Sequence, residues 1–224
     1  MLETLEIVTA AEPRHAVIWL HGLGADGHDF ESIVPELIEP DWPPLRFVFP
    51  HAPVRPITIN GGLRMRAWYD ILGLEIAQRQ DDAGVRESVG YVRALIAREA
   101  ERGIAPERVF LAGFSQGGAI ALAAGLSHPE PLAGIVALST YLPLAEQLEA
   151  EASAANRDTP IFMAHGSLDP VVGHPLGQMS RDFLVRHGYT VQWHSYAMPH
   201  SVSAAEIADL SRWLGERLRQ PRGR

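Results

Sequence analysis

The sequence predicts an α/β fold, in which a doubly wound, mostly parallel sheet is covered by helices on both faces. Two observations lead to this prediction. Short apolar runs alternate along the chain with longer amphipathic stretches, which is the order expected of consecutive strand–helix–strand units. Near the middle, residues 109–112 form an apolar run that leads through glycines into a stretch of small residues, as at a tight strand-to-helix turn.

Seven apolar runs are predicted to be strands. They lie near residues 5–8 and at 15–20, 45–49, 108–112, 132–138, 161–165 and 191–196. The stretches between them predict helices at 29–37, 81–102, 116–126, 174–186 and 203–217. The last helix begins with Ser203-Ala204-Ala205-Glu206, a capping-box pattern in which the serine and glutamate side chains bond each other's backbone N–H groups.

Three segments fall outside this alternation. Residues 50–74 are predicted to be a long connection without regular structure, with a turn at Asn60-Gly61-Gly62. The apolar side chains of this connection either cover the core or wall an acyl pocket, and the pattern leaves both possibilities open. Residues 145–158 are predicted to be a polar surface excursion, and residues 220–224 a frayed tail after a single domain of residues 1–219.

Composition and charge exclude several functions. A formal net charge of −8, without a basic stripe, argues against nucleic acid as a partner. The chain has neither cysteine nor lysine, which excludes disulfides, thiol nucleophiles, thiolate metal sites and Schiff-base chemistry. A nucleophile must therefore be a hydroxyl or a carboxylate, and a hydroxyl needs a base such as histidine. Since neither a secretory signal nor a membrane-spanning run is found, we expect a cytoplasmic protein.

The pentapeptide Gly113-Phe114-Ser115-Gln116-Gly117 has the G-x-S-x-G pattern of a nucleophile elbow. A serine at such a turn is held in a strained backbone conformation that presents its hydroxyl above the sheet. The flanking glycines allow the strand and the helix to approach closely. A predicted strand precedes the pattern and a predicted helix follows it, so we predict that Ser115 is a nucleophile.

Asp169 and His200 each follow a predicted strand. The carboxyl ends of parallel strands meet at one edge of the sheet, where ligands bind in open α/β folds. We predict that His200 takes the serine proton and that Asp169 orients the imidazole and stabilises its charge. His51 and Asp70 are the main rivals as base and acid. The chain order serine, aspartate, histidine is that of the α/β-hydrolases and favours the first pair.

Stabilising the developing alkoxide requires two backbone N–H donors. One is predicted at Gln116, where the N-terminus of the following helix adds a favourable dipole. The other is predicted at Leu23, because His21-Gly22-Leu23-Gly24 follows the strand at 15–20 and resembles the oxyanion loop of lipases. A plain glycine turn is the alternative explanation of that loop.

Together these motifs resemble the acyl-protein thioesterase and carboxylesterase family, also called the phospholipase/carboxylesterase family, and its bacterial carboxylesterases in particular. The resemblance extends over nearly the whole chain. It rests on motifs that occur in order: His21-Gly22-Leu23-Gly24-Ala25-Asp26-Gly27, Met65-Arg66-Ala67-Trp68-Tyr69-Asp70, Gly113-Phe114-Ser115-Gln116-Gly117-Gly118, His165-Gly166-Ser167-Leu168-Asp169-Pro170-Val171-Val172, and His200-Ser201. The chain departs from the family at Gly173-His174, where proline is common, and this concerns local rigidity rather than the reaction.

The resemblance implies a compact α/β-hydrolase without a large cap domain. It implies the catalytic residues Ser115, Asp169 and His200, and no metal or organic cofactor. It also places residues 65–70 beside the substrate groove, so the predicted substrate-binding residues are Leu63, Met65, Trp68 and Leu72.

The predicted function is that of a serine carboxylesterase, which forms an acyl-serine and hydrolyses it with water. The alternative is a thioesterase or lysophospholipase that removes long acyl chains, for which residues 50–74 are sufficiently apolar. A peptidase is disfavoured because no cap or propeller domain is present to admit a peptide, and a silent binding module would leave all the site residues unused. The expected partner is a small ester or thioester, an acylated protein or a lysolipid. The protein itself is expected to be a monomer or a homodimer.

Overall fold

The computed structural model describes residues 2–73 and 80–219, apart from the side chains of residues 148 and 149. The described strands are β1 (Thr4–Val8), β2 (His15–Leu20), β3 (Leu45–Pro50), β4 (Val54–Ile57), β5 (Leu63–Arg66), β6 (Val109–Phe114), β7 (Gly134–Leu138), β8 (Ile161–Gly166) and β9 (Val191–Tyr196). Seven of them form the main sheet, in the order β1-β3-β2-β6-β7-β8-β9. β1 is antiparallel to β3, and every other neighbouring pair is parallel. The predicted sheet is confirmed, with strand ends within two residues of those expected.

Helices cover both faces of the sheet, as predicted. They are α1 (Val34–Leu37), α2 (Asp82–Glu101), α3 (Gln116–Leu126), α4 (Ala145–Glu151), α5 (His174–Arg186) and α6 (Ala204–Arg219). Side chains of α2, α3 and α5 join the apolar core on one face, and those of α1 and α6 join the core on the other. Every residue of α3 is buried, because its small and apolar side chains let it lie directly between the sheet and α2. In the part of the chain described, no helix combines the length and apolar character needed to cross a membrane.

Two helix starts show how local chemistry sets the boundaries. The capping box of α6 is present, since Glu206 N donates to Ser203 Oγ over 3.2 Å and Ser203 N donates to the Glu206 carboxylate over 3.4 Å. The helix predicted at 29–37 is shorter than expected, with a 3₁₀ turn at Glu31–Ile33 before the four residues of α1. Pro35 explains this, because its ring lacks an N–H and clashes with the carbonyl one turn earlier.

The prediction that residues 50–74 lack regular structure was wrong as far as residue 73. β4 and β5 form an antiparallel hairpin, in which Val54 pairs with Arg66 and Ile57 pairs with Leu63. The predicted turn is present, with Gly61 and Gly62 at φ values of +64° and +81° that favour glycine. Strands of four residues are too short for their alternation to stand out from a loop.

Residues 145–158, which were predicted to be a polar surface excursion, also contain regular structure. They contain α4 and a 3₁₀ turn at Ala154–Asn156. The Asn156 side chain is fully buried, where it accepts from Leu132 N and donates to the carbonyl oxygens of His128 and Glu130. A polar residue thus fastens this segment to the connection between α3 and β7. The predicted tail at 220–224, like Leu74, lies outside the described residues.

Candidate active site

Ser115 occupies a sharp turn between β6 and α3. Its φ of 54° and ψ of −121° lie in a region that residues with a side chain rarely adopt. The turn is held in place because Ser115 N donates to Leu138 O over 2.8 Å. A Cβ at Gly113 would lie 2.5 Å from Gly118 N, and one at Gly117 would lie 2.6 Å from His21 O. Glycine is therefore required on both sides of the serine, as the elbow pattern predicts.

The structure brings Ser115, His200 and Asp169 into one hydrogen-bonded chain. His200 Nε2 lies 2.9 Å from Ser115 Oγ, and His200 Nδ1 lies 2.6 Å from Asp169 Oδ2. A carboxylate only accepts, so Nδ1 carries the ring proton and Nε2 is left to accept from the serine hydroxyl. The His200 ring packs on Phe114, with 4.7 Å between centroids, which limits its rotation.

Asp169 is held as a buried hydrogen-bond acceptor. Its side chain has no exposed surface, and Oδ1 accepts from the backbone N–H groups of Val171 and Val172 over 2.8 and 2.9 Å. His165 lies below it, with Nε2 3.4 Å from Asp169 Oδ2 and 2.8 Å from Val172 O. Burial lowers the pKa of His165, which keeps that ring neutral. His165 is not among the predicted site residues, and its contact with Asp169 became visible only in the structure.

The rival base and acid point elsewhere. His51 Nδ1 accepts from Gly27 N over 3.1 Å. Asp70 accepts from the backbone N–H and the hydroxyl of Thr58 at 2.7 and 2.5 Å, which fastens the end of the hairpin. The hydrogen bonds of both side chains therefore stabilise loops around the elbow.

The two predicted oxyanion donors border the elbow. Neither the N–H of Leu23 nor that of Gln116 donates to an acceptor among the described residues. Gln116 is the first residue of α3, so its N–H points out of the helix N-terminus. Gly22 packs against the elbow, since a Cβ there would lie 3.6 Å from Ser115 Cβ.

The four predicted substrate-binding residues have different environments. Leu63 is 63% exposed at the tip of the hairpin, and Met65 lies beside the oxyanion loop, with Sδ 3.7 Å from where a Gly24 Cβ would be. Leu72 borders a small recess near Tyr141. The prediction for Trp68 was wrong, because this side chain has no exposed surface and its indole N–H donates to His21 O over 2.9 Å.

Sequence reasoning missed a groove of about 770 Å³ beside the carboxyl end of β7. Its apolar lining comes from the segment after β7 and from α5: Tyr141, Leu142, Leu144, Leu176, Met179 and Phe183. Tyr141 follows Thr140, whose hydroxyl donates to Ser115 O over 2.6 Å, so one end of the groove lies close to the elbow. The position of residues 141–144 just after a predicted strand was the available signal. Among the described residues, no cluster of three or more histidine, aspartate or glutamate side chains could hold a metal ion.

Comparison with known proteins agrees with this geometry. The family described as Phospholipase/Carboxylesterase matches residues 2–217. The chain belongs to this hydrolase family. Within it, the chain is 40% identical to acyl-protein thioesterase 1 of Neurospora crassa, over 95% of this chain and 91% of that protein. It is 38% identical to acyl-protein thioesterase 1 of Yarrowia lipolytica, over 96% and 97% of the two chains.

Solved structures of similar proteins share the fold. The crystal structure of Arabidopsis thaliana SOBER1 superposes with a TM-score of 0.87 at 34% identity, over 92% of this chain and all of that one. Zea mays acyl-protein thioesterase 2 gives a TM-score of 0.85 at 28% identity, over 97% of this chain and 100% of that one. The predicted family and its α/β-hydrolase fold are confirmed.

Proposed function

We propose that this protein is a serine hydrolase that cleaves acyl esters and thioesters through an acyl-serine intermediate, with long-chain acyl groups as its preferred substrates. The observation that carries the proposal is the hydrogen-bonded chain from Ser115 Oγ through His200 to Asp169.

In the first half-reaction, Ser115 Oγ attacks the acyl carbonyl carbon while His200 Nε2 takes the hydroxyl proton. The carbonyl oxygen becomes an oxyanion, which the N–H groups of Leu23 and Gln116 stabilise. Asp169 stabilises the imidazolium without taking its proton. When the tetrahedral adduct collapses, the alcohol or thiol leaves with the proton from His200, and the acyl group stays on Ser115.

In the second half-reaction, water attacks the acyl-serine while His200 Nε2 takes a proton from it. Collapse releases the carboxylic acid, and the same proton returns to Ser115 Oγ. The ring of His200 therefore needs one mobile proton at Nε2 and one held at Nδ1, and the 2.6 Å contact with Asp169 favours this arrangement.

Two observations favour a long acyl chain. Two relatives, at 40% and 38% identity, are named acyl-protein thioesterase 1, while a third at 38% is named a probable carboxylesterase. The groove beside Tyr141 has a volume of about 770 Å³ and is open to solvent at Met179, and its apolar side chains offer a wall for a hydrocarbon chain. We also propose that Leu63 and Met65 contact the substrate from the hairpin, and that Leu72 contacts it near Tyr141 at the end of the groove.

The reaction class is tested with p-nitrophenyl butyrate and the Ser115→Ala variant. We expect kcat to fall by at least about 10⁴-fold with unchanged thermal stability, because the nucleophile is lost and no core side chain changes. Ser167→Ala, which alters an exposed serine in the loop that carries Asp169, is the matched control and should retain activity. Full activity in Ser115→Ala would refute the proposal. Failure of wild type to react with a serine-directed phosphonate would favour a silent binding module.

The acyl preference is tested by comparing butanoyl and hexadecanoyl groups as p-nitrophenyl esters and as thioesters of a cysteine peptide. Met179 lines the groove and is 63% exposed, so Met179→Glu should fold and should lower kcat/KM for hexadecanoyl substrates about 10-fold. Val185→Glu makes the same change at an exposed site of α5 outside the groove. Equal effects of the two variants on the long chain would refute the acyl assignment and leave a short-chain carboxylesterase.

A further inference from the structure

We propose that Trp68 is a positioning residue, whose indole N–H holds the loop of residues 21–24 so that the N–H of Leu23 faces the substrate carbonyl. The inference rests on the proposed function and assigns to Trp68 a role other than contact with substrate. Trp68 is completely buried, and both of its N–H groups donate to partners next to Ser115. The indole Nε1 donates to His21 O over 2.9 Å, and the backbone N donates to Gln116 Oε1 over 2.8 Å.

The loop needs such anchors because its glycines leave it without helix or strand bonds of its own. Three hydrogen bonds flank Leu23. Trp68 holds the carbonyl of His21 on one side, the His21 ring holds the carbonyl of Gly22 over 2.7 Å, and Gly24 N donates to Arg66 O over 2.9 Å on the other side. Gly24 N is bonded to Arg66 O, whereas the N–H of Leu23, which is the predicted donor, has no acceptor among the described residues.

The protonation of His21 follows from its partners. Nε2 accepts from Ala52 N over 3.0 Å, so Nδ1 carries the hydrogen that is donated to Gly22 O. Burial lowers the pKa of His21 to about 4, so the ring is neutral at neutral pH and both bonds persist. The ring of His21 also packs against Trp68, with 5.3 Å between centroids.

Gln116 connects this arrangement to the nucleophile. Its side-chain amide accepts from Trp68 N and donates to Tyr69 O over 2.6 Å, which are the two kinds of backbone bond that a neighbouring β-strand would make. The backbone N–H of Gln116 is one predicted oxyanion donor, and the side chain of Gln116 also binds Trp68. Trp68 in turn binds the loop that carries Leu23, the other predicted donor. Both N–H groups belong to one buried frame, and their spacing does not depend on substrate.

Oxyanion donors act mainly in the transition state, so their displacement lowers kcat more than it raises KM. Trp68→Phe removes the indole N–H and retains an aromatic ring. We expect kcat for p-nitrophenyl butyrate to fall about 10-fold, less than the 10²-fold or more that follows loss of a donor, with KM changed less than about 2-fold. Affinity for a trifluoromethyl ketone, which forms an oxyanion adduct with the serine, should fall by the same factor as kcat/KM.

Trp213→Phe is the matched control. Trp213 of α6 is similarly buried, where it packs against Phe110 and Phe162, and its Nε1 has no hydrogen-bond partner among the described residues. The same loss of volume there should leave kcat and ketone affinity unchanged. If both variants change kcat equally, or if Trp68→Phe raises KM alone, the proposal is refuted.

Gln116→Met is the second variant, which keeps the test informative if Trp68→Phe does not fold. It removes the side-chain link to Trp68 and keeps the backbone N–H, so kcat should again fall without a matching rise in KM. Unchanged kcat in this variant would refute the shared frame. An inactive wild-type protein would instead refute the proposed function, and the two failures are thereby distinguished.

Discussion

Glu206 lies in the first turn of α6 with no exposed surface. One carboxylate oxygen accepts the 3.4 Å bond from Ser203 N, and the other has no hydrogen-bond partner in the described part of the chain. Burial raises the pKa of Glu206 from 4.5 to about 8, so the folded protein holds this proton at neutral pH. Glu206→Gln replaces the protonated acid by a neutral group of the same shape.

The sign of the effect follows from linkage. The unfolded chain releases the proton near pH 4.5 and the folded chain near pH 8, so the stability that this group contributes is complete below pH 4.5 and is lost as the pH rises to 8. Each pH unit in this interval costs the wild-type protein about 1.4 kcal/mol relative to a neutral side chain. The variant should therefore gain about 3–4 kcal/mol over wild type between pH 5 and pH 8, or roughly 10 °C in Tm.

The assay is urea-induced unfolding of both proteins at four pH values from 5 to 8. Glu216→Gln is the matched control, because Glu216 lies on the same helix with a side chain that is 54% exposed. The control should follow the wild-type curve at every pH. Parallel stability curves for Glu206→Gln and wild type would show that the buried carboxylate is already ionised, and would refute the reasoning.

Two further predictions compare the same substitution at different glycines. Gly117→Ala should abolish esterase activity and lower the free energy of unfolding by about 3 kcal/mol or more, because the new methyl group would lie 2.6 Å from His21 O and closer still to Leu20 O. Retained activity in Gly117→Ala would show that the backbone at residues 20–21 can move away from the elbow and make room for the methyl group. Gly90→Ala should raise the free energy of unfolding by about 0.5–1 kcal/mol without affecting activity, since Gly90 lies within α2 and, beyond the local helix backbone, no atom of the described residues is within 4 Å of the added carbon. A loss of stability measured by urea unfolding would contradict this.

The elements of the main sheet could be predicted because their signals are local. β2 and β6 are largely apolar runs with a glycine within two residues of their ends, and α3 has the small side chains that a helix packed closely against the sheet requires. The hairpin of β4 and β5 could not be predicted in the same way. Each strand has only four residues, and Pro56 weakens the strand pattern of β4.

The arrangement of Ser115, Asp169 and His200 was predictable for a related reason. Each residue follows a parallel strand, and the topology brings those strand ends to one edge. Trp68 shows the limit of such reasoning. An aromatic residue in a connection either lines a pocket or fills the core, and only its complete burial and its bond to His21 O place it in the core.

The sequence alone determined the succession of the seven main-sheet strands and of the helices α1, α2, α3, α5 and α6, the elbow at Ser115 and the candidate acid and base. These features depend on periodicity, glycine geometry and position at strand ends. Tertiary structure decided the groove beside β7, the contact of His165 with Asp169, and the protonation of His21 and Glu206. Those features arise where segments distant in sequence exclude water from one another. The free energy of a charge or a hydrogen bond at such a place depends on every neighbour that packs around it.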